Sequence, residues 1–169
     1  VTIVQDALVF RHRPSSQISQ KIPDGMQVSK NTQHPISTPK MLNLTSIHHI
    51  AIICSDYEHS KHFYTEILGL KILREVYRAE RDSYKLDLEL NGQYVIELFS
   101  FPNPPARVSR PEACGLRHLA FAVKDIGKAA EDLSKLGIQA EPIRVDEYTG
   151  KQFTFFSDPD GLPIELYQE

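Results

Sequence analysis

The 169-residue chain carries only two cysteines, Cys54 and Cys114, far apart and outside any C-x-x-C pattern. That usage excludes a disulfide framework and is natural in a reducing, cytoplasmic compartment. No segment approaches the roughly 20 consecutive apolar residues of a bilayer-spanning helix, so no membrane association is expected. A surplus of positive charge is missing too: 19 Lys and Arg stand against 22 Asp and Glu, a formal net charge of −3. No nucleic-acid partner is expected, because such binding draws on a basic surface. The first ten residues read as a short strand, without the basic region and small-residue cleavage site of a signal peptide. What is present, 41% apolar and 24% charged residues, is ordinary for a globular chain, and the length suits one compact domain.

The first 40 residues differ from the rest. They are rich in Gln, Ser and Pro and carry five basic residues against two acidic ones, leaving 14 basic and 20 acidic residues beyond them. Residues 1–40 are expected to lie outside the fold, as an upstream extension or a tag, with an arm packed on a partner subunit as the alternative. Residues 41–169 are expected to form a single domain.

Within that domain one plan is read twice. Residues 47–53 are a β-branched apolar run, hence a buried strand. Ser55-Asp56-Tyr57-Glu58 has capping-box spacing, and Ser60, Phe63, Tyr64, Ile67 and Leu68 then share a helical face that Gly69 ends. Residues 70–77 read as a strand. Residues 84–90 alternate strictly, with Lys85, Asp87 and Glu89 on one face, and Asn91-Gly92 signals a hairpin into residues 93–101. A linker with four prolines follows, and the plan restarts: a strand over 116–123, an N-cap at Asp125, a stripe of Ile126, Ala129, Ala130, Leu133 and Leu136, and a stop at Gly137. Strands over 138–145, 152–156 and 162–167 complete it. The modules, 44–101 and 115–169, each read β-α-β-β-β, an α+β domain built by internal duplication.

Each copy ends on a strand interrupted by a carboxylate, Val95-Ile96-Glu97-Leu98-Phe99 and Pro163-Ile164-Glu165-Leu166-Tyr167. Each also opens on a strand bearing a histidine. From His49 to Glu97 is 48 residues, and from His118 to Glu165 is 47. A lone histidine in an apolar run is usually a satisfied core residue. A carboxylate inside a strand, however, must be exposed, paired or bound to a metal. Four such residues at equivalent positions form a ligand set of two imidazoles and two carboxylates for a divalent transition metal. His48 competes with His49, but successive strand residues face opposite ways. His118-Leu-Ala-Phe matches His49-Ile-Ala-Ile, which selects His49.

On these motifs, with Asp-Pro-Asp-Gly-Leu-Pro-Ile-Glu-Leu at residues 158–166, the body of the chain resembles the glyoxalase, or vicinal oxygen chelate, superfamily. It is most similar to lactoylglutathione lyase-like bacterial proteins. The resemblance implies two tandem βαβββ modules forming curved mixed sheets around a metal, with His49, Glu97, His118 and Glu165 as ligands. It implies one divalent ion per site, nickel or zinc first and manganese or iron as alternatives. It also implies a homodimer whose sites are shared between chains. The expected function is that of a lyase or isomerase acting on a small α-oxo-aldehyde-like substrate. There the metal stabilises negative charge on a carbonyl oxygen, Glu165 acts as general base, and Glu97 can replace it on the other face.

The family pattern is departed from at two places. Bacterial glyoxalase I uses an Arg four residues after the first metal His and an Asn four residues after the first metal Glu to hold glutathione. Those positions here are Ile53 and Phe101, so glutathione use is not expected. Basic residues near the expected mouth, Arg74, Arg78 and Lys85 among them, are candidates to meet an anionic substrate. A metal-dependent dioxygenase of the same superfamily and a small-molecule binding or resistance protein are the alternative functions.

Overall fold

The computed structural model describes residues 42–169, so the expectation for residues 1–40 lies outside the described part of the chain. Two four-stranded sheets are present, each with one helical crossover. In the first, β1 (Ile50–Cys54) leads into α1 (Tyr57–His62), which continues as a π-helical turn over Phe63–Ile67. Then come β2 (Lys71–Arg78), β3 (Ser83–Leu90) and β4 (Gln93–Ser100). The second repeats the order with β5 (Leu119–Val123), α2 (Ile126–Lys135), β6 (Arg144–Val145), β7 (Gln152–Ser157) and β8 (Pro163–Gln168). Sheet orders are β1-β4-β3-β2 and β5-β8-β7-β6. In each the first strand runs parallel to the last, and the remaining pairs are antiparallel. The second strand of each copy runs parallel to the first at the far edge of the sheet, out of reach of a tight turn, and the helix carries the chain across. No helix among the described residues is long and apolar enough to cross a membrane.

Local signals set the element ends. Asp56 and Asp125 cap the two helices, accepting hydrogen bonds from the backbone N–H of His59 (3.0 Å) and Lys128 (2.9 Å). Gly69 and Gly137 stop them at φ +72° and +78°, a backbone region where a side chain is strained. The centre of the apolar face of β3 then buries completely: Leu86 and Leu88 pack with Ile96 and Leu98 of β4 and with Phe63 and Tyr64. Truncating Leu88 to Ala would cost about 2–5 kcal/mol. The same core takes in Ile126, Phe156, Ile164 and Leu166. A polar seam joins the halves as well. Tyr64 donates to Asp158 Oδ2 at 2.8 Å, and the Ser55 N–H donates to Asp160 Oδ2 at 3.0 Å.

Three expectations are corrected. The strands expected from residues 47 and 116 begin at Ile50 and Leu119, where parallel pairing with Ile96 and Ile164 begins. The strand expected over 138–145 shrinks to Arg144–Val145. Pro142 within that run has no N–H to donate, and before Arg144 the run meets β7 at Glu141, whose N–H donates to Phe155 O and whose O accepts from the Thr154 hydroxyl. Leu136, expected in the helical stripe, is exposed, because α2 ends one residue before it.

Candidate metal centre

The sheet register places both carboxylates alike. Glu97 pairs with Ala51 on one side and Asp87 on the other, and Glu165 pairs with Ala120 and Phe155. Register partners share a face. The methyl side chains of Ala51 and Ala120 leave room above the parallel strand for the imidazole two residues upstream. His49 Nε2 lies 3.0 Å from Glu97 Oε2, and His118 Nε2 lies 3.1 Å from Glu165 Oε2. Both glutamates are largely buried, at 14% and 13% side-chain exposure, so each needs its partner.

Surroundings then separate the two pairs. Around Glu97 the face is charged. Lys85 Nζ bridges Glu97 Oε1 at 2.5 Å and Asp87 Oδ1 at 2.9 Å, and Arg74 Nη2 reaches Asp87 Oδ2 at 2.6 Å. Burial opposes ionisation of Glu97, yet hydrogen bonds from Lys85 and Tyr94 and the Lys85 charge hold its carboxyl below the usual range. Asp87 is lowered in the same way, against its burial, by Lys85, Arg74 and Tyr94. Lys85 is raised in turn, chiefly by its bond to Glu97.

Tyr94 reaches this group through a β-bulge. Pairing slips from Leu88↔Ile96 to Glu89↔Tyr94, leaving Val95 as the extra residue and returning Tyr94 to the Glu97 face. Its ring stacks on His49, with centroids 5.1 Å apart and planes at 27°, and its hydroxyl donates to Asp87 Oδ1 at 3.1 Å. Burial raises the Tyr94 phenol, and its bonds to Glu97 and Asp87 raise it further.

Around Glu165 the same positions are aromatic. Phe155 stands where Asp87 stands in the first copy, and its ring meets His118 edge-on at 5.3 Å. Phe153 stacks with Tyr167 at 6.4 Å, in the places of Lys85 and Phe99. An open cleft of about 1400 Å³ adjoins His118 and Glu165. A smaller cavity of about 550 Å³ adjoins His49 and Tyr94 and reaches across to Leu119, Ala120 and Phe121.

The four expected ligands thus come together as two pairs within the chain. Among the described residues no group of three or more His, Cys, Asp or Glu side chains is placed to hold one metal ion. His48 does not face away from His49 as expected: their Nδ1 atoms are 2.7 Å apart, since both residues precede the strand pairing. Ile53 is exposed, and Phe101 stacks on Phe99 at 6.0 Å. Sequence reasoning missed the supporting roles of Asp87 and Tyr94. The strict alternation over residues 84–90 held a signal, an acidic residue directly across from Glu97. No sequence signal marked the bulge.

Residues 46–166 match the Glyoxalase/Bleomycin resistance protein/Dioxygenase superfamily. The uncharacterized protein YwkD of Bacillus subtilis is 66% identical over 126 residues, covering 75% of this chain and 98% of that protein. Lactoylglutathione lyase of Escherichia coli O157:H7 is 30% identical over 131 residues, covering 72% of this chain and 90% of the enzyme. Among solved structures, a glyoxalase family protein from Enterococcus faecalis superposes with a TM-score of 0.69 at 51% identity, covering 75% of this chain and 99% of that one.

Proposed function

The chain belongs to the glyoxalase/bleomycin resistance protein/dioxygenase superfamily, and on that premise we propose that it is a metal-dependent lyase or isomerase of the glyoxalase I type, acting on a small substrate with two neighbouring oxygens. The observation that carries this reading is the pair of equivalent His–Glu contacts, 3.0 Å and 3.1 Å, at matching register positions of the two sheets. Imidazole and carboxylate are the donors a divalent transition ion takes, nickel or zinc first, with manganese or iron as alternatives. Each pair supplies two donors, so a four-ligand site takes two pairs. A homodimer in which His49 and Glu97 of one chain meet His118 and Glu165 of the other provides them. Similarity to lactoylglutathione lyase favours the lyase reading. The two free cysteines fit a cytoplasmic protein.

When bound, the ion draws electron density from the substrate oxygens and stabilises negative charge that develops there. The residues of the chain divide the rest. Lys85 engages Glu97 Oε1 and leaves Oε2, on the His49 side, to face the ion, so Glu97 would serve as a fixed ligand. Glu165 has His118 beside one oxygen and the ring of Phe155 across the strand. Among the described residues no ammonium holds it, and so it is the carboxylate able to take a proton from carbon and return it. The Phe155 and Phe153 rings line the cleft beside it. Ile53 and Phe101 offer no donor for a glutathione carboxylate or amide, so the substrate is not a glutathione adduct.

Elemental analysis of the purified protein tests this reading. About one divalent ion per site is expected, falling well below that in His49→Ala and Glu165→Gln, which each remove a ligand. Unchanged stoichiometry in single substitutions of all four residues would overturn it.

A further inference from the structure

On the face of the first sheet that carries Glu97, two cations are spent. Lys85 is held by Glu97 and Asp87, and Arg74 by Asp87. Arg78, at the end of β2, is different. Its guanidinium lies over the rings of Phe99, at 4.8 Å, and Phe101, at 5.5 Å. Nη2 donates to Ser83 Oγ at 2.6 Å. Nε is buried without a hydrogen-bond partner, and among the described residues no carboxylate lies within ion-pair distance.

A half-buried guanidinium normally carries a counter-charge, because desolvating a cation is costly and an unmet donor adds to that cost. Stacking on two aromatic faces offsets part of the cost through the ring quadrupoles. It also fixes the plane of the fork, which is the arrangement that suits a carboxylate or phosphate. The second sheet offers a comparison at a different register position. Arg144 lies over Phe153 at 4.8 Å and Phe155 at 5.4 Å in the same manner, but Glu141 neutralises it at 2.8 Å. The two arginines sit at different register positions, but both stack on a pair of rings, and among the described residues only Arg144 has an acid beside it.

Phe99 follows Glu97 by two residues on the same face, about 7 Å along the strand. The guanidinium above Phe99 therefore stands about the length of a small molecule from the His49–Glu97 pair. We propose that Arg78 is the specificity-determining residue of the site and binds an anionic group, carboxylate or phosphate, at the far end of the substrate. The substrate class is then a vicinal-oxygen compound with a charged tail. The oxygen end of this assignment rests on the metal reading above, while the Arg78 end stands on its own geometry.

Calorimetric titration of the full chain, metal-loaded and chelator-treated, separates the two. Three probes suffice: L-lactate, L-malate, which adds a terminal carboxylate, and 3-phosphoglycerate, which carries a phosphate. We expect at least one charged-tail probe to bind tenfold or more tightly than lactate, and the better of the two identifies the tail. Arg78→Met should bring that ratio to within threefold without altering metal content. Arg78→Lys, which keeps the charge and loses the fork, should fall between; it decides the matter if the Met variant does not fold, since an undiminished ratio there counts against Arg78. A wild type that prefers neither charged probe, or binds none of the three, overturns the proposal, as does an undiminished preference in Arg78→Met. If the protein holds no metal but the chelator-treated form shows a preference that Arg78→Met abolishes, the metal reading falls and Arg78 stands.

Discussion

The Lys85 ammonium sits 2.5 Å from Oε1 of Glu97, leaving the opposite oxygen toward His49. Asp87 lies directly across from Glu97 in the strand register, so this one cation keeps two facing carboxylates from repelling each other. Replacing Lys85 by Met would leave Asp87 and Glu97 opposed on a largely buried face, at a cost of about 2 kcal/mol of stability. A chemical denaturation midpoint unchanged from wild type would show that Arg74 alone compensates Asp87 and that Lys85 does not hold the pair.

A second ion-pair network makes stability depend on acid. Lys61 donates to Glu75 at 2.7–2.8 Å and Tyr57 donates to Glu75 at 2.7 Å, and together, Lys61 first, they lower Glu75 from its ordinary 4.5. A carboxylate depressed in the folded state stabilises the fold above its unfolded value and stops doing so as pH falls through the folded value. Lys61→Met should thus melt below wild type at pH 7, by the equivalent of about 0.5 kcal/mol for a largely exposed pair. The gap should narrow as pH falls below the ordinary 4.5 and close once it has passed through the lowered folded value. A series of thermal melts from pH 7 into acid checks this, and a gap that persists throughout would assign the loss to packing of the Lys61 stem on Tyr57.

Much of the fold was legible because local chemistry agreed with the tertiary plan. Caps at Asp56 and Asp125, stops at Gly69 and Gly137, and the Asn91-Gly92 turn, with φ of 53° and 81°, each act within a few residues. What escaped depends on partners. The first strands begin at Ile50 and Leu119 because pairing with Ile96 and Ile164 begins there, and no local pattern announces where a distant strand ends. Pro142 interrupts the run over 138–145, and the strand there forms only after it, at Arg144–Val145. At the candidate site the His–Glu spacing singled out residues that the structure places in contact, two by two. The bulge at Val95 that swings Tyr94 onto His49 left no trace in the periodicity.

The replacements at Ile53 and Phe101 bear on the thiol. Phe101 stacks on Phe99 beneath Arg78, a role in which a polar amide would serve less well. Turnover of the methylglyoxal–glutathione hemithioacetal is therefore expected to be at least a hundredfold below that of a dedicated glyoxalase I, about 2.7 kcal/mol of transition-state binding. Absorbance assays with purified metal-loaded protein measure it directly. Robust turnover would mean that other residues bind glutathione.

The last prediction concerns assembly. Within one chain His49–Glu97 and His118–Glu165 stand as separate pairs, with no third metal-binding side chain at either among the described residues. If sites are shared in a twofold dimer, each site takes the first pair from one chain and the second from the other. Mixing His49→Ala chains with His118→Ala chains then has a distinctive consequence. In the heterodimer one site carries both lesions and the other carries neither, whereas each parent homodimer has two damaged sites. Metal content should return to about half of wild type in verified heterodimers, and both homodimers should stay low. Were each chain to build its own site, every site would remain damaged and mixing would restore nothing. Absence of recovery after heterodimer formation is confirmed by mass would therefore sink the shared-site arrangement, whereas recovery would identify the two pairs as halves of one centre.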